Sequence, residues 1–103
     1  MRGEIYRLTA PRGMRGSKQA GSRFAVVVQS DMLPLSTWLV APTSTAAAPA
    51  TFRPQIDLAG RTTRVLAEQI TAVDPSRLGE PAGYLSSVEM GQVDAALRLV
   101  LSP

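Results

Sequence analysis

The chain of 103 residues has no cysteine and no histidine. Without thiols it can form neither a disulfide framework nor a thiolate metal site. Without imidazole it lacks the usual general acid–base side chain and the commonest metal ligand, so neither a metal nor another cofactor is expected. Any chemistry must run on Arg, Lys, Glu, Asp, Tyr, Ser or Thr. Lysine occurs once, at Lys18, and aromatic residues make up 5%. No run approaches the roughly 20 apolar residues that a membrane helix needs. The N-terminus has no apolar core of the kind a signal peptide carries. The expectation is a soluble, cytoplasmic protein with no membrane partner.

Size sets a second bound. The chain has room for a single domain, residues 1–103, with one core. A domain this small buries only about 60–65% of the surface its unfolded chain exposes, so pairing with a second copy would stabilise it. Apolar residues at 45% and charged residues at 18% describe a globular chain, not a disordered one. The net charge of +3 is unevenly placed. Residues 1–23 carry Arg2, Arg7, Arg12, Arg15, Lys18 and Arg23 against Glu4 alone, a local balance of +5. Residues 24–103 carry five basic and seven acidic groups, a balance of −2. A one-sided basic field attracts polyanions and speeds their encounter, which marks the N-terminal quarter as a candidate nucleic-acid face. The bland alternative is a solvated surface that keeps the protein soluble.

Residues 3–8 read as a short strand. Residues 9–22, TAPRGMRGSKQAGS, are rich in Gly, Pro and Ser and lack periodicity. Loops of that length in compact domains are usually functional or disordered. Residues 23–30 hold the strongest strand, a continuous β-branched run suited to burial on both faces. A turn over 31–36 leads to a strand over 37–42 and an Ala-, Thr- and Pro-rich loop over 43–54. Strands over 55–58 and 63–68 are joined at Ala59-Gly60-Arg61, and a short strand follows over 69–73. Pro75, Pro81 and Gly83 predict irregular backbone up to residue 85. Then comes a helix. Ser86 and Glu89 form a capping box, Leu85 and Met90 a hydrophobic staple. Met90, Val93, Leu97, Val100 and Leu101 recur at helical spacing. Many short strands and one terminal helix predict a mainly β fold, a small barrel capped by the helix.

Candidate chemistry gathers around the basic loop. Arg12, Arg15 and Lys18 recur every three residues, and Gly13, Gly16 and Gly21 allow backbone amides to approach a phosphate closely. Arg23 stands where that loop enters the strongest strand. A side chain anchored at a strand end is better placed for chemistry than one in a loop, and a fixed guanidinium can stabilise charge developing on a phosphorane. Thr43 and Ser44 follow Pro42, where strand is expected to meet loop, with hydroxyls able to donate to the same phosphate. Each has a plain rival. Strand-end arginines are often surface ion pairs, and loop threonines often bond their own backbone. Tyr6 and Trp38 can stack a base, although Trp38 in an apolar strand reads better as core. Glu68 and Gln69, expected in a central strand, form a polar pair that needs partners.

Taken in order, these segments form a recognisable series: Gly3-Glu4-Ile5-Tyr6, Gly16-Ser17-Lys18-Gln19-Ala20-Gly21, Arg23-Phe24-Ala25-Val26-Val27-Val28, Pro42-Thr43-Ser44 and Glu68-Gln69-Ile70. The series resembles the MazF/PemK toxins over nearly the whole chain. The resemblance implies an SH3-like barrel with a C-terminal helix, acting as a symmetric homodimer. It implies metal-independent cleavage of single-stranded RNA at short sequences, with the ribose 2′-hydroxyl attacking the adjacent phosphate. It also implies inhibition by a cognate antitoxin whose C-terminal segment wraps the dimer. On the matching positions, Arg23 takes the catalytic arginine role and Thr43 the phosphate-holding role. Ser44, Arg12, Arg15, Lys18 and Gln19 become candidate substrate-binding residues.

Two positions depart from the family pattern. Phe24 replaces the usual proline, which frees a backbone amide and loosens the restraint on Arg23. Lys18 replaces a glutamate that serves in some relatives as a candidate base. Glu4 and Asp31 remain as substitutes for that carboxylate. Two other readings stay open: a barrel of the same fold that binds RNA or protein without cleavage, and a gyrase poison of the CcdB kind. The latter carries a Trp-Gly-Ile tail, whereas this chain ends Leu101-Ser102-Pro103.

Overall fold

A computed structural model describes residues 1–9 and 23–103. Seven antiparallel strands and one helix follow one another: β1 (Glu4–Leu8), β2 (Phe24–Val27), β3 (Trp38–Ser44), β4 (Gln55–Leu58), β5 (Arg61–Val65), β6 (Thr71–Val73), β7 (Leu78–Tyr84) and α1 (Ser87–Leu101). The strands form a single sheet in the order β4-β5-β3-β2-β1-β7, with β6 set beside β3. The result is a curled half-barrel with the helix over its core, mainly β as the sequence predicts.

Strand β3 organises this sheet. One edge pairs with β2 through Val27–Val40, Val26–Ala41 and Ala25–Pro42. The other edge is divided. Trp38, Leu39 and Val40 pair with β6, while Thr43 and Ser44 pair with β5. Pro42 lies at the changeover, and its carbonyl accepts from the Leu66 amide at 2.8 Å.

The period-2 alternation of side chains gives each face its own apolar layer. Ile5, Val26, Val28, Ala41, Ile56, Leu58 and Val65 gather beneath Val93 of the helix. Ala25, Val27, Val40 and Val73 form the layer on the other face, covered by Tyr6, Leu8, Trp38 and Leu78. The run Ala25–Val28 is therefore buried on both sides, as its unbroken apolar character requires. Trp38 belongs to this second layer, set edge-on to Tyr6 at 6.4 Å between ring centres.

The helix start is as its residues dictate. Ser86 Oγ accepts from the Glu89 amide at 3.1 Å, and Glu89 Oε1 accepts from the Ser86 amide at 2.9 Å. Leu85 and Met90 both pack against the first layer. Glu89 also reaches outward: its Oε2 accepts from the backbone amide of Asp57 at 2.9 Å. One carboxylate thus caps the helix and ties it to the edge strand β4. Burial pushes this carboxyl up, but the Ser86 and Asp57 amides and the Ser86 hydroxyl outweigh that and hold it below the usual range.

Three expected elements differ. Residues 78–84 form β7, not irregular backbone; it is an edge strand bulged against β1, and an edge tolerates Pro81 because its missing N–H need not serve a neighbour. The strand expected over 63–68 runs from Arg61 to Val65, and Glu68 sits instead in a 3-10 turn, Ala67–Gln69. The strand expected over 37–42 continues through Thr43 and Ser44, because β5 supplies a new partner just where β2 stops.

Candidate functional site

The end of β1, the start of β2 and the end of β3 lie side by side at one end of the sheet. Arg23 is the exposed residue at the head of β2. Its carbonyl accepts from the Leu8 amide at 2.8 Å, which ties it to β1. No described residue hydrogen-bonds its guanidinium. An arginine so held by its backbone and open at its tip is the arrangement that positioned-charge chemistry needs.

Thr43 lies across from it, on β3. Its side chain is not displayed at a loop: only 6% of the residue is exposed. Its Oγ1 donates to the carbonyl of Phe24 at 3.1 Å, so the hydroxyl is engaged by the residue that follows Arg23. Ser44 is half-buried, and its Oγ accepts from the Ala46 amide at 3.1 Å, turning the chain out of β3. The structure thus brings Arg23, Thr43 and Ser44 to one end of the sheet, with both hydroxyls already hydrogen-bonded. Arg12, Arg15, Lys18 and Gln19 lie outside the described residues.

Other cations flank this end. Arg7, one residue before the end of β1, lies over the Phe24 ring at 5.4 Å. Arg77 Nε donates to the Thr9 carbonyl at 3.0 Å, and the Thr9 amide donates back to Arg77 at 2.8 Å. Arg64 pairs opposite Ser44 and donates to the Arg53 carbonyl at 2.9 Å and to Gln55 at 3.3 Å. A polyanion approaching this end meets guanidinium groups on several elements.

The carboxylate that the fold brings to the β3 side of this end is Glu68. Its 3-10 turn touches both β3 and the helix. Arg53 grips one oxygen, Oε2, through Nε at 3.0 Å and Nη2 at 2.7 Å. The other oxygen, Oε1, is buried without a partner among the described residues. The Arg53 hydrogen bond, working against burial, holds the Glu68 carboxyl below its ordinary range. Arg53 also donates to the Ala48 carbonyl at 3.2 Å, so the pair fastens the loop over residues 45–54 to the barrel.

Glu4 and Asp31 are elsewhere. Glu4 begins β1 at the far end from Leu8, roughly 13 Å away at about 3.3 Å per residue. It accepts from the N-terminal ammonium, from Tyr6 at 2.9 Å and from Tyr84 at 3.2 Å. The ammonium, aided by the two hydroxyls and opposed by burial, lowers its pKa. Asp31 lies beyond the opposite end of β2, accepting from the Arg2 amide at 2.8 Å. Neither carboxylate is next to Arg23.

A family model of PemK-like, MazF-like toxins of type II toxin–antitoxin systems matches residues 1–101. The chain belongs to this family. A Mycobacterium tuberculosis protein provisionally named a toxin is 39% identical over 98 residues, covering 94% of this chain and 92% of that one. A mycobacterial endoribonuclease solved with its cognate antitoxin superposes with a TM-score of 0.80 at 18% identity, covering 99% of this chain and 94% of the other. MazF from Deinococcus radiodurans gives 0.77 at 21% identity, covering 99% and 96%. At those identities the solved structures speak for the fold.

Within this PemK/MazF-like barrel, the phenylalanine at position 24 has a structural use. Pro42 has no N–H, so the Ala25–Pro42 pair can only be of the non-hydrogen-bonded kind. Its ladder bonds come from the flanking residues, Phe24 with Thr43 and Val26 with Ala41. The Phe24 ring packs against the layer beneath the helix and lies under the Arg7 guanidinium. Arg53 is the site residue that sequence reading missed. It is isolated in a charge-free loop, and only the fold brings it to Glu68, 15 residues away.

Proposed function

We propose that this chain is a metal-independent endoribonuclease toxin that cleaves single-stranded RNA at short sequences and is neutralised in the cytoplasm by a cognate antitoxin. The observation that carries this reading is Arg23, clamped through its backbone at the head of a doubly buried strand with its guanidinium open, in a chain of this toxin family.

The chemistry asks little of the protein beyond position and charge. The substrate's own 2′-hydroxyl attacks the neighbouring phosphorus. The bond to the 5′-oxygen breaks, leaving a 2′,3′-cyclic phosphate on one fragment and a 5′-hydroxyl on the other. Negative charge grows on the phosphoryl oxygens as the phosphorane forms. Arg23 lies where paired hydrogen bonds can meet that charge. Arg12, Arg15, Lys18 and Gln19 hold the flanking phosphates in this reading, and two copies of the chain pair to frame the groove. No helix of the described residues is long and apolar enough to cross a membrane.

The test is cleavage of a mixed-sequence single-stranded RNA in excess EDTA. Wild-type protein should yield discrete fragments with 5′-hydroxyl ends. Arg23→Ala should lose at least about 100-fold in rate, the scale of one positioned charge in an oxyanion-type site, with an unchanged circular dichroism spectrum. Arg23→Ala cutting at the wild-type rate would remove the assignment, and intact RNA with folded wild-type protein would remove the activity.

A further inference from the structure

We infer that Arg64 on β5 is a second phosphate-binding residue of the RNA site, taking a backbone phosphate beside the one that Arg23 holds. The inference rests on the endoribonuclease reading and extends its substrate groove to a strand which that reading leaves out.

Register puts the two arginines in one row. Ser44 pairs with Arg64 across β3 and β5. Ala25 pairs with Pro42 across β2 and β3, so two residues further along each chain Arg23 stands level with Ser44. Arg23, Ser44 and Arg64 thus line up across three neighbouring strands. Neighbouring strands lie about 4.8 Å apart, which sets the two arginines about 10 Å apart along the sheet. They also share a face. Thr63 and Val65, on either side of Arg64, are buried at 4% and 0% exposure, and Val65 packs beneath the helix. Alternation therefore turns Arg64 to the opposite face. Phe24 packs against that same helix-side layer, which turns Arg23, one residue earlier, to the opposite face as well. Leu8, whose amide bonds the Arg23 carbonyl, covers the apolar layer of this face.

Charge marks the row as a place for an anion. Arg2 and Arg53 each meet a carboxylate, Asp94 and Glu68, at 2.7 Å. Arg64 is half-buried, yet its bonds among the described residues go to neutral acceptors: Nη1 to the Arg53 carbonyl at 2.9 Å and Nη2 to Gln55 Oε1 at 3.3 Å. These bonds orient the fork without neutralising it, and a guanidinium has more N–H donors than they use. Ser44 stands between the two arginines. Its Oγ accepts from the Ala46 amide, so its hydroxyl hydrogen is still to give. Donors from three strands thus face an anion longer than one carboxylate. A linear polyanion with a charge at every repeat fits such a row, and single-stranded RNA is one.

The test couples the residue to a single phosphate. The ligand is an RNA that the wild type binds, with 2′-deoxyribose at any nucleotide whose linkage it cuts. A set of copies carries one uncharged methylphosphonate linkage each. Affinity is read by fluorescence anisotropy for wild type, Arg64→Gln, Arg64→Lys and Arg23→Ala, from about 50 to about 200 mM salt. Arg64→Gln should bind the fully charged RNA about tenfold more weakly at the lower salt, the scale of one charge-assisted hydrogen bond. Its plot of log affinity against log salt should be shallower by about 0.7, the share of one phosphate contact on a single strand. Arg64→Lys, which keeps the charge and loses the fork, should regain the slope. One linkage should cost the wild type affinity when neutralised and cost Arg64→Gln nothing, a coupling that a merely structural role would not produce. A different linkage should behave so with Arg23→Ala. Arg64→Thr, a good strand former, serves as the second neutral variant should Arg64→Gln fold poorly. Wild-type affinity in the neutral variants, a loss at unchanged slope, or coupling of both arginines to the same linkage would overturn the inference. Wild type that shows the coupling but cuts no all-ribose RNA would strike the cleavage reading alone, since the coupling is read from affinity.

Discussion

Replacing Glu89 by alanine should remove two bonds that no other side chain supplies. One is the return half of the capping box, on the Ser86 amide; the other fastens the helix to the edge strand through the Asp57 amide, both at 2.9 Å. A lost helix cap costs about 1 kcal/mol. Losing a carboxylate acceptor from a backbone amide costs about as much again where water can partly take over, as at the exposed Asp57. The sum is about 2 kcal/mol, a sizeable share of the 5–15 kcal/mol typical of a small domain. For about 100 residues each 1 kcal/mol shifts Tm by about 4–8 °C, so Glu89→Ala should melt roughly 8–16 °C lower by circular dichroism. Glu89→Gln keeps one acceptor oxygen and should fall about half as far. The pH dependence carries a sign. The folded carboxyl lies below its ordinary value, so its contribution is present above about pH 4.5 and fades as pH drops through the folded value. At pH 3 the wild type and Glu89→Ala should therefore melt closer together than at pH 7. A Glu89→Ala variant melting within 2 °C of wild type at pH 7, or a gap that widens in acid, would refute the reasoning.

Further expectations concern other parts of the barrel. Ala59 and Gly60 form the two-residue turn between β4 and β5 with φ of 53° and 80°. A positive φ is costly for alanine and mild for asparagine, so Ala59→Asn should raise stability by about 0.5–1 kcal/mol in urea unfolding; a lower midpoint would count against the turn assignment. Arg53→Met and Glu68→Leu each strand a half-buried charge, and each should cost about 1–3 kcal/mol, whereas the double variant should cost less than their sum. Simple additivity in thermal melts would mean that the pair is not coupled. Arg23→Ala should leave the melting temperature within about 4 °C of wild type, since surface substitutions away from packed features usually stay within about 0.5 kcal/mol. A larger fall would mean that lost cleavage reports unfolding.

How far the sequence anticipated the structure depended on whether local chemistry was enough. The helix start was fully legible, because Ser86, Glu89, Leu85 and Met90 act within one turn of backbone. The buried strand at Ala25–Val28 was legible for a similar reason: its composition leaves no polar face. Strand β7 was not. Gly79, Pro81 and Gly83 are poor strand formers, and only pairing with β1 makes this segment a strand, an override supplied by tertiary context. The extension of β3 through Thr43 and Ser44 was hidden because β5, which pairs with it, arrives some 20 residues later. The place of Arg23 at a strand end was legible, because burial changes abruptly along the chain there. The covered position of Thr43, whose hydroxyl donates to the Phe24 carbonyl, was not. Glu68 needed a partner, and that partner was named only by the fold.

The divided edge of β3 has a consequence for how the protein fails under stress. A strand with three neighbours is released only when all of them part, so its amides belong to the most protected cooperative unit, the one that opens only in global unfolding. The β3 side of the site is built into that unit. Partial opening of the β7 edge, which has one strand neighbour at the sheet's margin, leaves it standing. Heat or denaturant should then abolish activity in step with the loss of the whole fold, and a protein nicked or frayed at its margins should keep the geometry of its working end.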